Sequence, residues 1–151
     1  HGALCVLDGR YVLLLGDSGV GKSTLSELIL ESGGSCLTDE HPVSTPGPGG
    51  RPFVHATPWP GPRGAETSLS GPLDAVFFLR HAPTDDLRGL SRSETGRRLL
   101  GNARFYRWDP STIPATVEAL DRIAREVPAF DLGFVPRPSA VGAVRAALRT
   151  L

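Results

Sequence analysis

The sequence predicts an α/β domain spanning residues 1–151. Two observations carry the prediction. Short apolar, β-prone runs alternate with stretches of helical spacing, and a glycine-rich turn stands at one strand-to-helix junction. A chain of 151 residues buries roughly two-thirds of the surface its unfolded form exposes, so its core needs no covalent staples. No internal repeat interrupts the pattern.

The elements follow in order. "ALCVLD" (3–8) and "RYVLLLG" (10–16) read as paired strands, because Asp8-Gly9 between them favours a tight hairpin turn. Residues 23–32 carry Leu25, Leu28, Ile29 and Leu30 with Glu27 and Glu31 interspersed, and Gly33-Gly34 then ends this helix. "SCLTDE" (35–40) is a short strand closing on two carboxylates. From 42 to 72 proline and glycine crowd the chain, which predicts long loops with one edge strand near residues 53–56. "DAVFFLRH" (74–81) reads as a buried strand, with Asp74 at its start as a cap or turn residue. Helical spacing returns over 88–100 and over 111–127, the second helix starting at a Ser/Thr cap with Pro114 in its first turn. "FDLGFV" (130–135) is the last strand and 140–151 a closing helix.

Composition limits the partners. Acidic and basic residues number 16 each, so no overall field favours nucleic acid or an anionic membrane. The longest apolar stretch, around residues 12–15, is far too short to span a bilayer, and no secretory leader opens the chain. A soluble, cytoplasmic protein is expected. The chain contains no Met and begins at His1, which leaves room for a preceding segment. Cys5 and Cys36 lack metal-ligand spacing and read as free thiols, and His41 and His55 have no ligand spacing either. Trp59 among prolines reads as an aromatic packed in a covering loop. Phe105, Tyr106 and Trp108 read as core or a subunit contact, and Arg97-Arg98 as a solvated helix face.

The chemistry concentrates in "GDSGVGKS", residues 16–23, which fits G-x-x-x-x-G-K-[ST] without mismatch. Glycines at 16, 19 and 21 let successive backbone N–H groups converge on a phosphate, and the following helix adds its positive end. The candidate nucleotide-binding residues are Gly16, Asp17, Ser18, Gly19, Val20, Gly21, Lys22, Ser23 and Thr24. Of 16 basic residues 15 are arginines, and the one lysine stands here. A compact ammonium on a thin stem suits reaching along a phosphate chain better than a planar guanidinium does. In this pattern Lys22 contacts the β- and γ-phosphates and Ser23 places its hydroxyl on Mg²⁺. Asp39 and Glu40 follow a short apolar strand, where one carboxylate can hold the metal while the other takes a proton. Glu66 is a further candidate metal carboxylate in the proline-rich loop, and Arg80-His81 a candidate addition to the site.

"HGALCVLDGRYVLLLGDSGVGKSTLSELI" followed by "LTDE" resembles the catalytic domain of the HPr kinase/phosphorylase family, whose phosphate-loop domain is related to phosphoenolpyruvate carboxykinase. That family shows a His-Gly pair, a strand, G-D-S-G-x-G-K-S, a helix and then Ala-Asp-Asp. His1 stands twenty-one residues before Lys22 and Asp39 seventeen after it, as the resemblance requires. The resemblance implies a P-loop domain with a mixed sheet and flanking helices. By position, it implies that Lys22 binds the phosphates of ATP, Ser23 helps to hold Mg²⁺, Asp39 accepts the proton of a serine hydroxyl on a protein or peptide substrate, and His1 is the family's active-site histidine. Glu40 replaces the second Asp. Past residue 45 the likeness thins, and "GAETSLSG" around Glu66 lacks the family's Glu-x-Arg-Gly, so the chain resembles the small, divergent members. A homo-oligomer is expected by the same analogy.

Other uses of the loop stay open. An ATPase would employ Asp39 and Glu40 as metal ligand and water-activating base, and a non-catalytic nucleotide-binding module would need neither. A regulatory GTPase requires an Asn-Lys-x-Asp motif, which a chain with no lysine beyond Lys22 does not contain.

Overall fold

In a computed structural model, described over residues 1–57, 69–105 and 109–151, the chain forms eight strands and four α-helices among the described residues. Strands β1 (Gly2–Leu7) and β2 (Arg10–Leu15) make the expected hairpin, paired from Gly2↔Leu15 to Leu7↔Arg10. Asp8 (φ 51°) and Gly9 (φ 76°) both take the left-handed conformation that a two-residue turn of this kind requires. Helix α1 (Lys22–Glu31) then crosses to β3 (Ser35–Thr38), which lies antiparallel to β1 and therefore parallel to β2.

The proline- and glycine-rich stretch holds more structure than its composition suggests. Two strands, β4 (Val43–Pro46) and β5 (Pro52–His55), pair as a hairpin where one edge strand was expected. The prolines at its closed end face each other, Pro46↔Pro52, and a short 3₁₀ turn over Pro48–Gly50 joins the strands. The predictions on Trp59, Glu66, Tyr106 and Trp108 lie outside the described residues.

Strand β6 (Ser70–His81) is the spine of the sheet. Its first residues pair with β5, while its later ones run parallel to β2 on one side and to β8 (Ala129–Phe134) on the other. Asp74 is therefore buried within a strand and is not a turn residue. The β2–β6 register passes from Tyr11↔Leu73 to Val12↔Ala75, skipping Asp74, whose carboxylate takes the Tyr11 N–H at 2.9 Å and pairs with Arg10 and Arg51.

The helical spacing from residue 88 also resolves differently. β7 (Asp86–Gly89) is an edge strand on β8, and α2 (Arg92–Asn102) begins only after Ser91. The reason is local, because Ser91 and Glu94 form a reciprocal capping box that fixes the helix start. Helices α3 (Ile113–Glu126) and α4 (Ser139–Leu148) complete the chain.

The result is a three-layer sandwich. Ala3, Cys5, Val12, Leu14, Phe77 and Leu132 face α1 and α4 on one side of the sheet, while Leu4, Leu13, Leu15, Val76 and Phe78 face α2 and α3 on the other. Alternation of the side chains along each strand sorts them between these two cores.

Candidate functional site

The site grows from the carboxyl end of β2. A crevice at the carboxyl ends of parallel strands is where open α/β sheets bind ligands, and here β6 and β8 run past the end of β2, from Leu15↔Phe78 to His81↔Phe134. The chain leaves β2 through Gly16 (φ 146°), Gly19 (φ 81°) and Gly21 (φ 101°), all in conformations that L side chains rarely adopt. Two of these positions are also sterically closed. A Cβ on Gly16 would stand 2.9 Å from Val20 Cγ1, and one on Gly21 would stand 2.8 Å from the Phe134 ring. Val20 is buried and anchors the loop in the core, which leaves Asp17, Ser18 and Gly19 exposed at its tip.

Gly21 caps α1 without any side-chain bond. The first helical bond runs from Leu25 N–H to the Gly21 carbonyl at 2.9 Å, so the N–H groups of Lys22, Ser23 and Thr24 stand ahead of the helical ladder. Ser23 and Thr24 are exposed there. Lys22 is not. Its side chain is 7% exposed and folds back over the loop, where Nζ donates to the carbonyls of Gly16 (2.7 Å) and Asp17 (2.9 Å). No carboxylate among the described residues stands within ion-pair distance of it. Burial pushes its pKa below the usual lysine range, against the pull of Asp17 and Glu40. The loop thus surrounds a buried positive charge, without an ion-pair partner among the described residues, with backbone donors at a helix N-terminus.

Strand directions bring distant residues to this loop. Because β1 is antiparallel to β2, its first residue lies opposite the last residue of β2, and His1 stands one residue before the Gly2↔Leu15 pair. The His1 amine is lowered in pKa by burial and then by the charges of Arg104 and Lys22. It donates to the Asn102 carbonyl at 2.9 Å, and the His1 ring centroid lies 5.8 Å from that of His41. Because β3 runs parallel to β2, its carboxyl end also arrives here, and Gly2 N–H donates to the Glu40 carbonyl at 3.0 Å.

A bulge in β3 aims Asp39. The register with β1 passes from Cys5↔Cys36 to Leu4↔Thr38, which leaves Leu37 as an extra residue. Thr38 thereby shares the face of Leu4, where its hydroxyl meets Thr57 at 3.3 Å. Carried one step beyond the strand, the same alternation directs Asp39 to the opposite face, that of Ala3 and Cys5. Its charge raises the pKa of both Cys5 and Cys36. Without the bulge, strict alternation would turn Asp39 toward α2 and α3. Asp39 Oδ1 is buried and has no hydrogen-bond partner among the described residues. Glu40 is exposed, 3.5 Å from His41 Nδ1.

An orphaned carboxylate oxygen fits a cation. No three His, Cys, Asp or Glu side chains converge among the described residues, so an all-protein metal cage is absent from them. Mg²⁺ rarely uses such a cage, and one carboxylate, a hydroxyl and substrate phosphates suffice for it. Asp39 and Ser23 fit that donor set.

The structure separates the Arg80-His81 pair. His81 Nε2 lies 3.2 Å from the Gly19 carbonyl, beside the loop. Arg80 turns instead to Asp131 and Asp86, within a network that includes Arg98. Arg98 is therefore not simply solvated, whereas Arg97 is exposed. Sequence reasoning passed over Asn102 and Arg104 at the His1 end, and Phe134 under Gly21. No local pattern flags them, because each is distant in sequence from the residue it meets.

No helix among the described residues is long and apolar enough to cross a membrane. No protein-family model matches the chain, and no curated protein matches it. Among solved structures it is similar to the HPr(Ser) kinase/phosphatase from Coxiella burnetii, with a TM-score of 0.59 at 13% sequence identity over 99% of this chain and 95% of that one. The chain therefore has a mixed α/β fold, a mixed sheet with flanking helices, that resembles the fold of that kinase/phosphatase.

Proposed function

We propose that this chain binds ATP with Mg²⁺ and transfers its terminal phosphoryl group to a serine hydroxyl of a protein or peptide. The observation that carries the reading is the buried Lys22 ammonium, held by two loop carbonyls at an uncapped helix N-terminus with no carboxylate within ion-pair distance among the described residues. An anion compensates such a charge, and a polyphosphate also accepts from the N–H groups ahead of the helix.

In this reading the residues of the 16–24 loop orient the phosphates, and Lys22 holds the bridging and terminal oxygens. Ser23 and Asp39 are the metal ligands, and bound Mg²⁺ supplies charge neutralisation between phosphate oxygens. Asp39, or Glu40 beside it, accepts the hydroxyl proton as the serine oxygen attacks. His1, next to the Gly2↔Leu15 pair, helps to orient the acceptor. Glu66, which lies outside the described residues, is a third candidate ligand. The fold likeness adds support at the level of architecture alone.

The test is incubation with Mg²⁺, γ-labelled ATP and a library of serine-containing peptides, comparing the intact chain with Asp39→Asn. Label on serine with the former and not with the latter supports the proposal. Free phosphate without labelled peptide would make the chain an ATPase, and ATP binding without turnover would make it a binding module. Either result overturns the kinase reading.

A further inference from the structure

Cys5 and Cys36 are thirty-one residues apart and were read from sequence as independent thiols, yet the antiparallel β1–β3 ladder sets them directly opposite each other. Residues so paired have Cα atoms about 4.5 to 5.5 Å apart, inside the span of about 4.4 to 6.8 Å that a disulfide bridges. Directly paired residues point to the same face of a sheet, so both sulfurs lie on the α1 side. The Cys5 thiol donates to Ser26 Oγ of α1 at 3.5 Å. Ser26 in turn donates to the Lys22 carbonyl at 3.0 Å.

The two thiols differ in access. Cys5 is fully buried, whereas Cys36 is half-buried on the edge strand. The proximity of Cys5 lowers the pKa of Cys36, while the proximity of Cys36 and burial raise that of Cys5. Such asymmetry separates an attacking thiol from a resolving one.

We propose that Cys5 and Cys36 are a redox-active dithiol that closes reversibly into a cross-strand disulfide, with a low-molecular-weight disulfide as the oxidant. The Cys36 thiolate attacks one sulfur of the oxidant, breaking its S–S bond and releasing one thiolate, which takes up a proton from solvent. Cys5 loses its proton and attacks the Cys36 sulfur of the mixed disulfide, displacing the second thiolate. The protein gives up two electrons and two protons, and the oxidant becomes two thiols. The bond fastens β3, the strand that presents Asp39, to β1, and it removes the Cys5 donor from Ser26. The inference stands whether or not the loop binds ATP.

The test uses the intact chain, equilibrated in glutathione buffers from fully reduced to fully oxidised, then acid-quenched, alkylated with iodoacetamide and digested with trypsin. The expected product is peptide 1–10 linked to peptide 23–63, with both thiols lost to alkylation in parallel and restored by dithiothreitol. In Cys5→Ser, Cys36 is expected to stop at the mixed disulfide with glutathione. In Cys36→Ser, Cys5 is expected to stay unmodified in the folded protein. Both wild-type cysteines alkylating fully in the oxidised buffer would overturn the proposal, as would disulfides found only between chains. The wild-type readout decides even where a variant folds poorly.

Discussion

Replacing Lys22 by Met removes the ammonium while keeping the length and most of the volume of the side chain. The wild-type nitrogen makes two bonds, to the Gly16 and Asp17 carbonyls, and its side chain is 7% exposed. A phosphate charge about 4 Å from it gains about 4 kcal/mol at the effective dielectric of a protein surface. Desolvation reduces that gain, and deleting one hydrogen bond to a charged group costs about 1.5–3 kcal/mol. Lys22→Met is therefore expected to weaken ATP binding by about 2–4 kcal/mol, or about 30- to 700-fold in Kd. Folding stability responds differently. The variant relieves a buried charge but leaves two carbonyls without their donor, and these opposing effects hold the change in unfolding free energy to about 1 kcal/mol or less. Calorimetric titration with ATP and urea denaturation read the two quantities separately. Because burial lowers the Lys22 pKa, the unfolded chain holds its proton to higher pH, and stability rises as pH climbs from the folded to the unfolded value. ATP affinity, which requires the charged form, falls over the same window. A folded Lys22→Met protein that binds ATP within threefold of wild type would refute the reasoning.

Gly21→Ala forces a side chain onto a backbone at φ 101° and against the Phe134 ring at 2.8 Å, so urea denaturation is expected to show a loss of about 2–4 kcal/mol. Adding Phe134→Leu should recover only the steric part, and full recovery would contradict the strain argument. Asp131→Asn removes a carboxylate that accepts from Arg98 at 2.7 Å and Arg80 at 2.9 Å, with an expected cost of about 1–3 kcal/mol because the arginines are only partly buried. Glu94 is held down to about 2 by the Ser91 backbone N–H, the Ser91 hydroxyl and Arg88. Its contribution is complete above its ordinary value of 4.5 and is lost as pH falls through about 2, so the melting-temperature gap between wild type and Glu94→Gln should close over that range. A gap that persists undiminished below pH 2 would contradict this.

Much of the fold was legible because its causes are local. Asp8-Gly9 marks the hairpin, Gly33 and Gly34 end α1, and "AVFFL" lies in the central strand wherever it is read. The errors share one cause. The β4–β5 hairpin and β7 are held by pairing with partners elsewhere in the chain, which lets proline- and arginine-bearing segments become strands against their own propensity. Asp74 read as a turn residue because a carboxylate at the head of an apolar run normally is one. It is buried because Arg10, Arg51 and the Tyr11 N–H arrive from other segments to satisfy it.

By itself the sequence determined the shape of the 16–23 loop, because glycine φ freedom and the Lys-Ser start of a helix act over a few residues. It also placed His1 and Asp39 at separations that a hairpin and a crossover can close. Only the tertiary structure decided which way those side chains face. Alternation has a period of two, and a single extra residue at Leu37 reverses it for Thr38 and the residues after it, while Cys36 stays opposite Cys5. That extra residue shows only once β3 is laid against β1, because register belongs to a pair of strands and not to either one.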